Sequence, residues 1–534
     1  VGENPFYKKH LISLDDLTLD GINYILAKGH ELRTLEHNGQ RFEYQDRLKN
    51  KFLIKAFFEN STRTRGSHET AGKELGMKIE GFASDEGTSI KKGESLVHTL
   101  RTFQSFHGCV AVVRHHLEGS LRAASEHLLT NERLNMSLIN AGDGSHEHPT
   151  QALLDLLAID LIARSSRKPY DAISCAFVGD NRYGRTVHSL APVLARKGVN
   201  KITFVNPEPL TPPHYLLKRL DDLGVDYTIE TELGSLLYDQ DFAYVTRIQE
   251  ERIPDTTELT SARRALHVTE AHIHHTPDHF RILHPLPINK HNRGIHPELD
   301  DHPKTGYWAQ MEEGVFMRKA LLLLLRDEQY GQDFDGNGPW EHCEETLSPR
   351  FKQPRNHGQY VPKSDAILGT IDDGVVFDHI PCYLRGLVEE ILPRAYGRFS
   401  LSASGMVSPT HPDGKDLVKV SNFYPGDDIL AQIAAVMPGI TVSFIKGGQI
   451  IEKYQLQKPN LVERIFACVN TACITHPLHD EHIPSRHRDI GKDLYQCSYC
   501  DHITPRDTLA RPVVELYLPT SVEIEKAKRE LRSN

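Results

Sequence analysis

At 534 residues, 39% apolar and 25% charged, the chain is too long for one compact core, and its composition is that of a folded water-soluble protein. Two to four domains are expected. Its formal charge of −10 excludes general attraction to nucleic acid or anionic membrane, so any anion must be held by a local basic cluster.

The N-terminal VGENPFYKKHLISLDDL lacks the apolar stretch and cleavage site of a secretory signal, and a cytoplasmic protein is expected. From about 51 to 290, short β-branched runs alternate with amphipathic stretches. The runs are KFLIKAFFE, CVAVVRH, NMSLINAGDG, SCAFVGD, KITFVNP, VDYTIE, FAYVTRIQ and RILHPLP. Between several lie helical patterns such as QALLDLLAIDLIARSS and TVHSLAPVLARKG, with apolar residues three and four apart. Such alternation predicts βα units on parallel sheets, with polar motifs just after the strands. A helix over 149–166 divides the region into two doubly wound lobes, 1–157 and 158–310. The run KALLLLLRD near 320 is bracketed by charges and falls far short of the roughly 20 residues of a bilayer span. It reads as a buried helix over 311–327 that returns to the first lobe.

Glycine, proline, asparagine and charge dominate 328–364, which reads as a linker. Strand-like segments resume in AILGTIDDGVVFDHIP, DLVKVSNF and ITVSFIKGGQIIEKY, with a helical DILAQIAAVM, and predict a small α+β domain over 365–460. Residues 461–534 hold four of the eight cysteines. Cys468 and Cys473 flank four residues, Cys497 and Cys500 flank two, and 23 residues separate the pairs. Two such turns offer a closed thiolate set to one tetrahedral, structural zinc per chain; the alternative is four reduced thiols in a small core. No organic cofactor is expected.

The most chemical stretch is FFENSTRTRGS. Where an apolar run ends, Ser61, Thr62, Arg63, Thr64 and Arg65 precede a helix, and N–H groups, hydroxyls and a guanidinium there can hold phosphate oxygens. The alternative is helix capping by Ser61 or Thr62. Further polar motifs follow strands: KKGES at 91, VVRHH at 112, GDGSHEHPTQ at 142, VGDNRYGRTVHS at 178, TRIQEER at 246 and HPLP at 284.

STRTR, HPTQ, GRT, TRIQEER and HPLP in this order resemble the aspartate carbamoyltransferases, over residues 5–327. The resemblance implies transfer of a carbamoyl group from carbamoyl phosphate to L-aspartate, in pyrimidine biosynthesis. By it Ser61, Thr62, Arg63 and Thr64 hold the phosphate, and Arg63 favours the leaving group. Thr64, Arg114 and His148 surround the carbonyl oxygen, where donors stabilise an oxyanion. Gln151 and the backbone carbonyls of Pro285 and Leu286 fix the carbamoyl amino group. Arg185 with Thr186, and Arg247 with Gln249, receive the two carboxylates of aspartate. Thr88 and Lys92 lie on a loop that reaches a neighbouring subunit's site, implying a homotrimer; higher assembly is left open. Arg65 is structural. Two positions depart from the family pattern: His116 replaces a common proline and Ile288 a common arginine. Ornithine carbamoyltransferases usually carry HCLP where this chain has HPLP, so aspartate is favoured. Another class of reading is a nucleotide-responsive scaffold with an inactive transferase half.

Residues 365–515 resemble the regulatory chain of the same family through VVFDHIP, GKDLVKVSN, IIEKY and the cysteine pairs. That resemblance implies an ATP, CTP or UTP site in which Asp378 and His379 contact base or ribose, and Lys415, Lys419 and Lys453 meet ribose or phosphates. The alternative is three solvated strand lysines.

Overall fold

In the first half of the chain the apolar runs become two parallel sheets. The first comprises β1 (Phe52–Phe57), β2 (Lys78–Phe82), β3 (Gly108–His115) and β4 (Ser137–Asp143), in the order β2-β1-β3-β4. The second comprises β5 (Ser174–Val178), β6 (Lys201–Val205), β7 (Asp226–Glu230), β8 (Phe242–Val245) and β9 (Arg281–Leu283), in the order β7-β6-β5-β8-β9. Strands β4 and β8 are buried along their whole length, because helices cover both faces of a parallel sheet and leave no polar side. The computed structural model describes residues 3–84, 88–128, 135–249, 266–289, 293–341, 352–355, 371–381, 385–392, 400–408, 411–464, 466–506 and 508.

The helices of this half are α1 (Leu19–His37), α2 (Arg63–Glu74), α3 (Leu96–Ser105), α4 (Ser120–His127), α5 (Pro149–Ser166), α6 (Arg185–Arg196), α7 (His214–Asp222), the short α8 (Glu270–Ile273) and α9 (Tyr307–Arg326). Helix α9 returns from the second lobe to pack on α1, α2 and α5, and its leucines 321–325 are buried in a core that continues from Leu53 of the first sheet to Phe177 of the second. Among the described residues no helix is long and apolar enough to cross a membrane.

The chain divides into two compact units, the first made of Val1–Cys343 with Ala472–Ile474 and the second of Glu344–Thr471 with Thr475–Asn534. Residues 328–341, read from composition as the start of a linker, instead pack on the first unit. Phe6 stacks edge-on against Phe334 and Trp340, the Trp340 indole donates to the Pro5 carbonyl at 3.0 Å, and the Glu341 N–H donates to the Asp16 carbonyl at 2.8 Å. A few aromatics anchor a segment whose composition is otherwise that of a loop.

The second unit carries β10 (Lys352–Pro354), β11 (Gly374–Ile380), β12 (Ser400–Ser408), β13 (His411–Ser421), β14 (Thr441–Lys446) and β15 (Gln449–Leu456), joined as one antiparallel sheet in the order β10-β15-β14-β11-β13-β12. Helices α10 (Arg385–Ile391) and α11 (Asp427–Val436) accompany it, and Val375, Phe377, Val418, Val420 and Val442 pack with Ile429, Leu430 and Ile433 in a separate core. Beyond it, β16 (Leu461–Glu463), β17 (Arg486–Asp489), β18 (Leu494–Cys497) and β19 (Ile503–Pro505) form a small antiparallel sheet, with Phe466 and Tyr495 packed on Ala435 of α11.

Candidate active site

In both sheets of the first unit the strand order reverses, at β1 and β3 in one and at β5 in the other, and open α/β sheets bind ligands beyond the carboxyl ends at such points. A cavity of about 800 Å³ lies there. Ser61, Thr62, Arg63, Thr64, Arg114, His148, Gln151, Arg185, Thr186, Arg247, Gln249, Pro285 and Leu286 all line it. Arg63 opens α2, Arg114 ends β3, His148 precedes α5, Arg185 opens α6, and Arg247 and Gln249 follow β8. Thr88 begins the short turn Ser89–Lys92, which does not line this cavity; Lys92 is exposed. Arg65 is also absent from the wall and has Glu69 at 4.0 Å.

The start of α2 has no acidic residue in its first turn and no side-chain cap on Thr62, so neither capping nor a carboxylate offsets its N-terminal N–H groups. Around it stand five guanidiniums: Arg63, Arg114, Arg185, Arg247 and Arg318. Glu59 offsets part of this charge, its Oε2 lying 3.2 Å from both Arg114 Nε and Arg185 Nη1. Burial, then the neighbouring Arg185, pulls Arg114 down to about 9, which still leaves it charged at neutral pH. In a chain of net charge −10 this cavity is a focused cationic site for small polyanions.

His148 is neutral here, because burial and the nearby guanidiniums of Arg185 and Arg114 hold its pKa well below the usual histidine value. Its Nδ1 lies 3.3 Å from the Thr150 hydroxyl and its Nε2 lies 3.4 Å from the Thr64 hydroxyl, so the tautomer with the proton on Nε2 aims it toward Thr64. Gln249 is held by its backbone N–H donating to Asp180 at 3.1 Å and its side-chain amide donating to the Tyr183 carbonyl at 2.8 Å.

Several wall residues escaped the sequence reading. Arg318, His284 and Gln310 line the cavity, and Glu59 pairs with two of its arginines. Arg318 is buried, with its Nε 3.1 Å from His68 Nδ1. Its signal was a pair of cations, Arg318 and Lys319, in the otherwise apolar VFMRKALLLLL. His284 accepts the Leu286 N–H at 2.7 Å, and burial with nearby Arg63 lowers its pKa to about 3.

The four C-terminal cysteines are buried and their sulfurs lie within 4.8 Å of one another. The Cys468 and Cys500 sulfurs are 3.7 Å apart. Tetrahedral ligands at about 2.3 Å from zinc stand about 3.8 Å from one another, so this spacing fits a metal and not a disulfide. Asn470 donates to Cys500 Sγ at 3.5 Å, the kind of outer hydrogen bond that steadies a thiolate.

Of the nucleotide residues, Asp378 and His379 fall at an irregularity of β11, where pairing with β13 breaks between Phe377 and Ile380 and His379 has φ 62°. Lys419 pairs with Val376, Val376 with Ser443, and Ser443 with Lys453, so both lysines stand in one cross-strand row. Lys415 lies on β13 with its side chain outside the described residues.

Family models match the chain in four successive parts. They are the aspartate/ornithine carbamoyltransferase carbamoyl-P binding domain over 9–160 and Asp/Orn binding domain over 171–325, then the aspartate carbamoyltransferase regulatory chain's allosteric domain over 367–457 and metal binding domain over 460–510. Among solved structures, the catalytic subunit of M. jannaschii aspartate transcarbamoylase is 36% identical, with TM-score 0.52 over 59% of this chain and 96% of that one. The Trypanosoma cruzi aspartate transcarbamoylase in complex with N-(phosphonacetyl)-L-aspartic acid is 30% identical, with TM-score 0.54 over 60% of this chain and 97% of that one. The same enzyme with carbamoyl phosphate and aspartate is 29% identical, with TM-score 0.54 over 60% and 96%.

The chain therefore belongs to the aspartate/ornithine carbamoyltransferase family. Within it, this is an aspartate carbamoyltransferase whose catalytic domains continue into the allosteric and metal-binding domains of the regulatory chain on one polypeptide. The four cysteines are the ligands of its structural zinc.

Proposed function

We propose that the cavity between the two lobes carries the transfer of the carbamoyl group of carbamoyl phosphate to the amine of L-aspartate, giving N-carbamoyl-L-aspartate and phosphate. The observation that carries this reading is the convergence of residues from separate strand ends on one cationic cavity at an uncompensated helix N-terminus. Ser61, Thr62, Arg63 and Thr64 bind the phosphate, and Arg63 stabilises the charge it gains on leaving. Arg185 with Thr186, and Arg247 with Gln249, grip the two carboxylates, and the fork shape of each guanidinium fixes the amine's direction of approach.

The neutral amine attacks the carbonyl carbon, and the carbonyl oxygen gains charge that Arg114, His148 Nε2–H and the Thr64 hydroxyl receive. The carbon–oxygen bond to phosphate then breaks. The proton lost from nitrogen goes to the departing phosphate, which would otherwise leave as a trianion. His148 acts as a neutral donor in this scheme, since protonating it among three guanidiniums is unfavourable.

The allosteric-domain match supports nucleotide effectors in the second unit, with Asp378, His379, Lys415, Lys419 and Lys453 as their contacts. The placement of Lys92 and Thr88 away from the cavity suits a homotrimer in which they serve a neighbouring site. Cys109 and Cys175 without disulfide partners suit a cytoplasmic setting.

The test is formation of carbamoylaspartate from carbamoyl phosphate and aspartate, with ornithine as the competing acceptor; turnover of ornithine alone rejects the assignment. For the shared site, Arg63→Ala and Lys92→Ala proteins are dissociated, mixed and reassociated. Activity should return on mixing, because one site then draws each native residue from a different chain. Mixed trimers that form and stay inactive place Lys92 outside the neighbour's site.

A further inference from the structure

Behind the cavity wall lies a fully buried carboxylate, Asp155 of α5, that no step above uses. It accepts three hydrogen bonds: from Gln151 Nε2 at 2.8 Å and Gln310 Nε2 at 2.6 Å on Oδ1, and from the Tyr244 hydroxyl at 2.7 Å on Oδ2. These donors come from α5, α9 and β8, so one side chain ties three elements of the site together. An ionised carboxylate can only accept, so each amide must turn its NH₂ toward it. The consequence at Gln151 is that Oε1, the remaining polar atom, is left to the cavity that this residue lines. At Gln310 the freed Oε1 accepts the backbone N–H of His284 at 2.9 Å, which anchors the segment carrying Pro285 and Leu286.

We propose that Asp155 is the positioning residue through which the cavity recognises the carbamoyl amino group. By orienting the Gln151 amide and, through Gln310, the His284–Leu286 segment, it makes that wall an acceptor surface for N–H donors. The wall then distinguishes carbamoyl phosphate from acetyl phosphate, which has a methyl group in place of NH₂ and the same phosphate. A wall built of oriented acceptors rejects a ligand that leaves them unpaired. Asparagine at 155 keeps the size but can present its own NH₂ to either glutamine, so both amides are free to turn over. The inference rests on the proposed role of Gln151.

The experiment compares two constants in the intact protein: KM for carbamoyl phosphate at saturating aspartate, and the competitive Ki of acetyl phosphate against carbamoyl phosphate. Asp155→Asn should raise the first about 10- to 100-fold and leave the second within about threefold. Arg63→Ala is the contrast, raising both constants because both ligands share the phosphate. Gln310→Met removes the link to His284 and one donor to Asp155 while leaving Gln151 on Asp155, and should shift the same ratio less, which keeps the test available if Asp155→Asn does not fold. An equal rise in both constants for the Asp155 and Gln310 variants overturns the proposal, because Asp155 would then only hold the site's shape. A Gln151→Ala protein with the wild-type ratio overturns the assignment of Gln151 itself. A shifted ratio for Gln151→Ala with an unshifted one for Asp155→Asn overturns the role of Asp155 alone.

Discussion

The two units meet anions in different ways. In the first, guanidiniums stand at strand ends and helix starts, as Arg63 does on α2 and Arg185 on α6, and they are set by hydrogen bonds such as those of Glu59. In the second, the lysines proposed to meet the effector lie in mid-strand: Lys419 on β13 and Lys453 on β15, in one row across the sheet. An arginine fork fixes direction, whereas a lysine is a point charge on a flexible stem. Catalysis needs fixed direction, because charge must be met where it develops. An effector site needs only a difference in affinity between two states.

The largest effect should come from breaking direction in the cleft. Arg63→Ala should lower kcat about 10³-fold in a protein that still folds, since it removes the proposed donor to the leaving phosphate. Arg63→Lys should recover little of this, because the ammonium keeps the charge and loses the fork. Steady-state kinetics with a melting curve as control decides it. Near-normal kcat in either variant would remove the directional argument.

The units should also differ in their response to acid. Six histidines of the first unit have lowered pKa values, chiefly through burial: His10 and His188 to about 4, His284 to about 3, His68 and His148 well below the ordinary 6.5, and His272; in the second unit only His476 and His487 are lowered among the described residues. The unfolded chain takes up these protons near pH 6.5 while the folded one does not, so stability falls with pH from that point. Asp155 works the other way, since burial raises it to about 6 and the folded chain takes its proton first. Between pH 7.5 and 6 the five most strongly lowered histidines of the first unit together cost about 4 kcal/mol, less the smaller opposing gains from Asp155 and from Glu313, whose pKa burial also raises. Calorimetry over this range should show the first unit's transition falling more steeply than the second's. Parallel falls would mean the histidines are protonated in the folded protein.

A third break separates the two substrates inside the cleft. Arg247→Ala should raise the aspartate KM about 30- to 100-fold, the loss of a charged, two-pronged hydrogen bond, with a much smaller change for carbamoyl phosphate. Equal changes in both would put Arg247 on the phosphate side.

How far these contrasts could be read from the sequence depended on where each residue's partners lie. The strands buried on both faces were legible as apolar runs, β4 and β8 among them. The edge strand β2 was not, because KIEGF is largely exposed and contains Gly81 at φ 102°. The polar motifs after the strands were legible because they interrupt those runs. Asp155 was not legible: four residues after Gln151 it reads as the polar side of a helix, and only folding brings Tyr244 to it from 89 positions away. The lysine row was hidden for the same reason, since the register of four strands creates it.

The smallest effect should come from the lysines, and it sharpens the comparison through the reverse substitution. Lys419 is 9% exposed, and burial lowers its pKa, so its charge is poorly hydrated before any ligand arrives. A polyphosphate would add counter-charge, but it would be shared among several lysines, each contributing a fraction of the attraction. Lys419→Ala should therefore weaken nucleotide binding only about three- to tenfold, about 1 kcal/mol. Lys419→Arg should bind as the wild type does, because charge and not the shape of the donor is required, the opposite of Arg63→Lys. Equilibrium dialysis of the intact protein with ATP, CTP and UTP, at low and at high salt, measures both variants. Binding weakened as much by Lys419→Arg as by Lys419→Ala would show that the effector site is as directional as the catalytic one. Titrations unchanged in both variants for all three nucleotides would make the row a solvated face of the sheet.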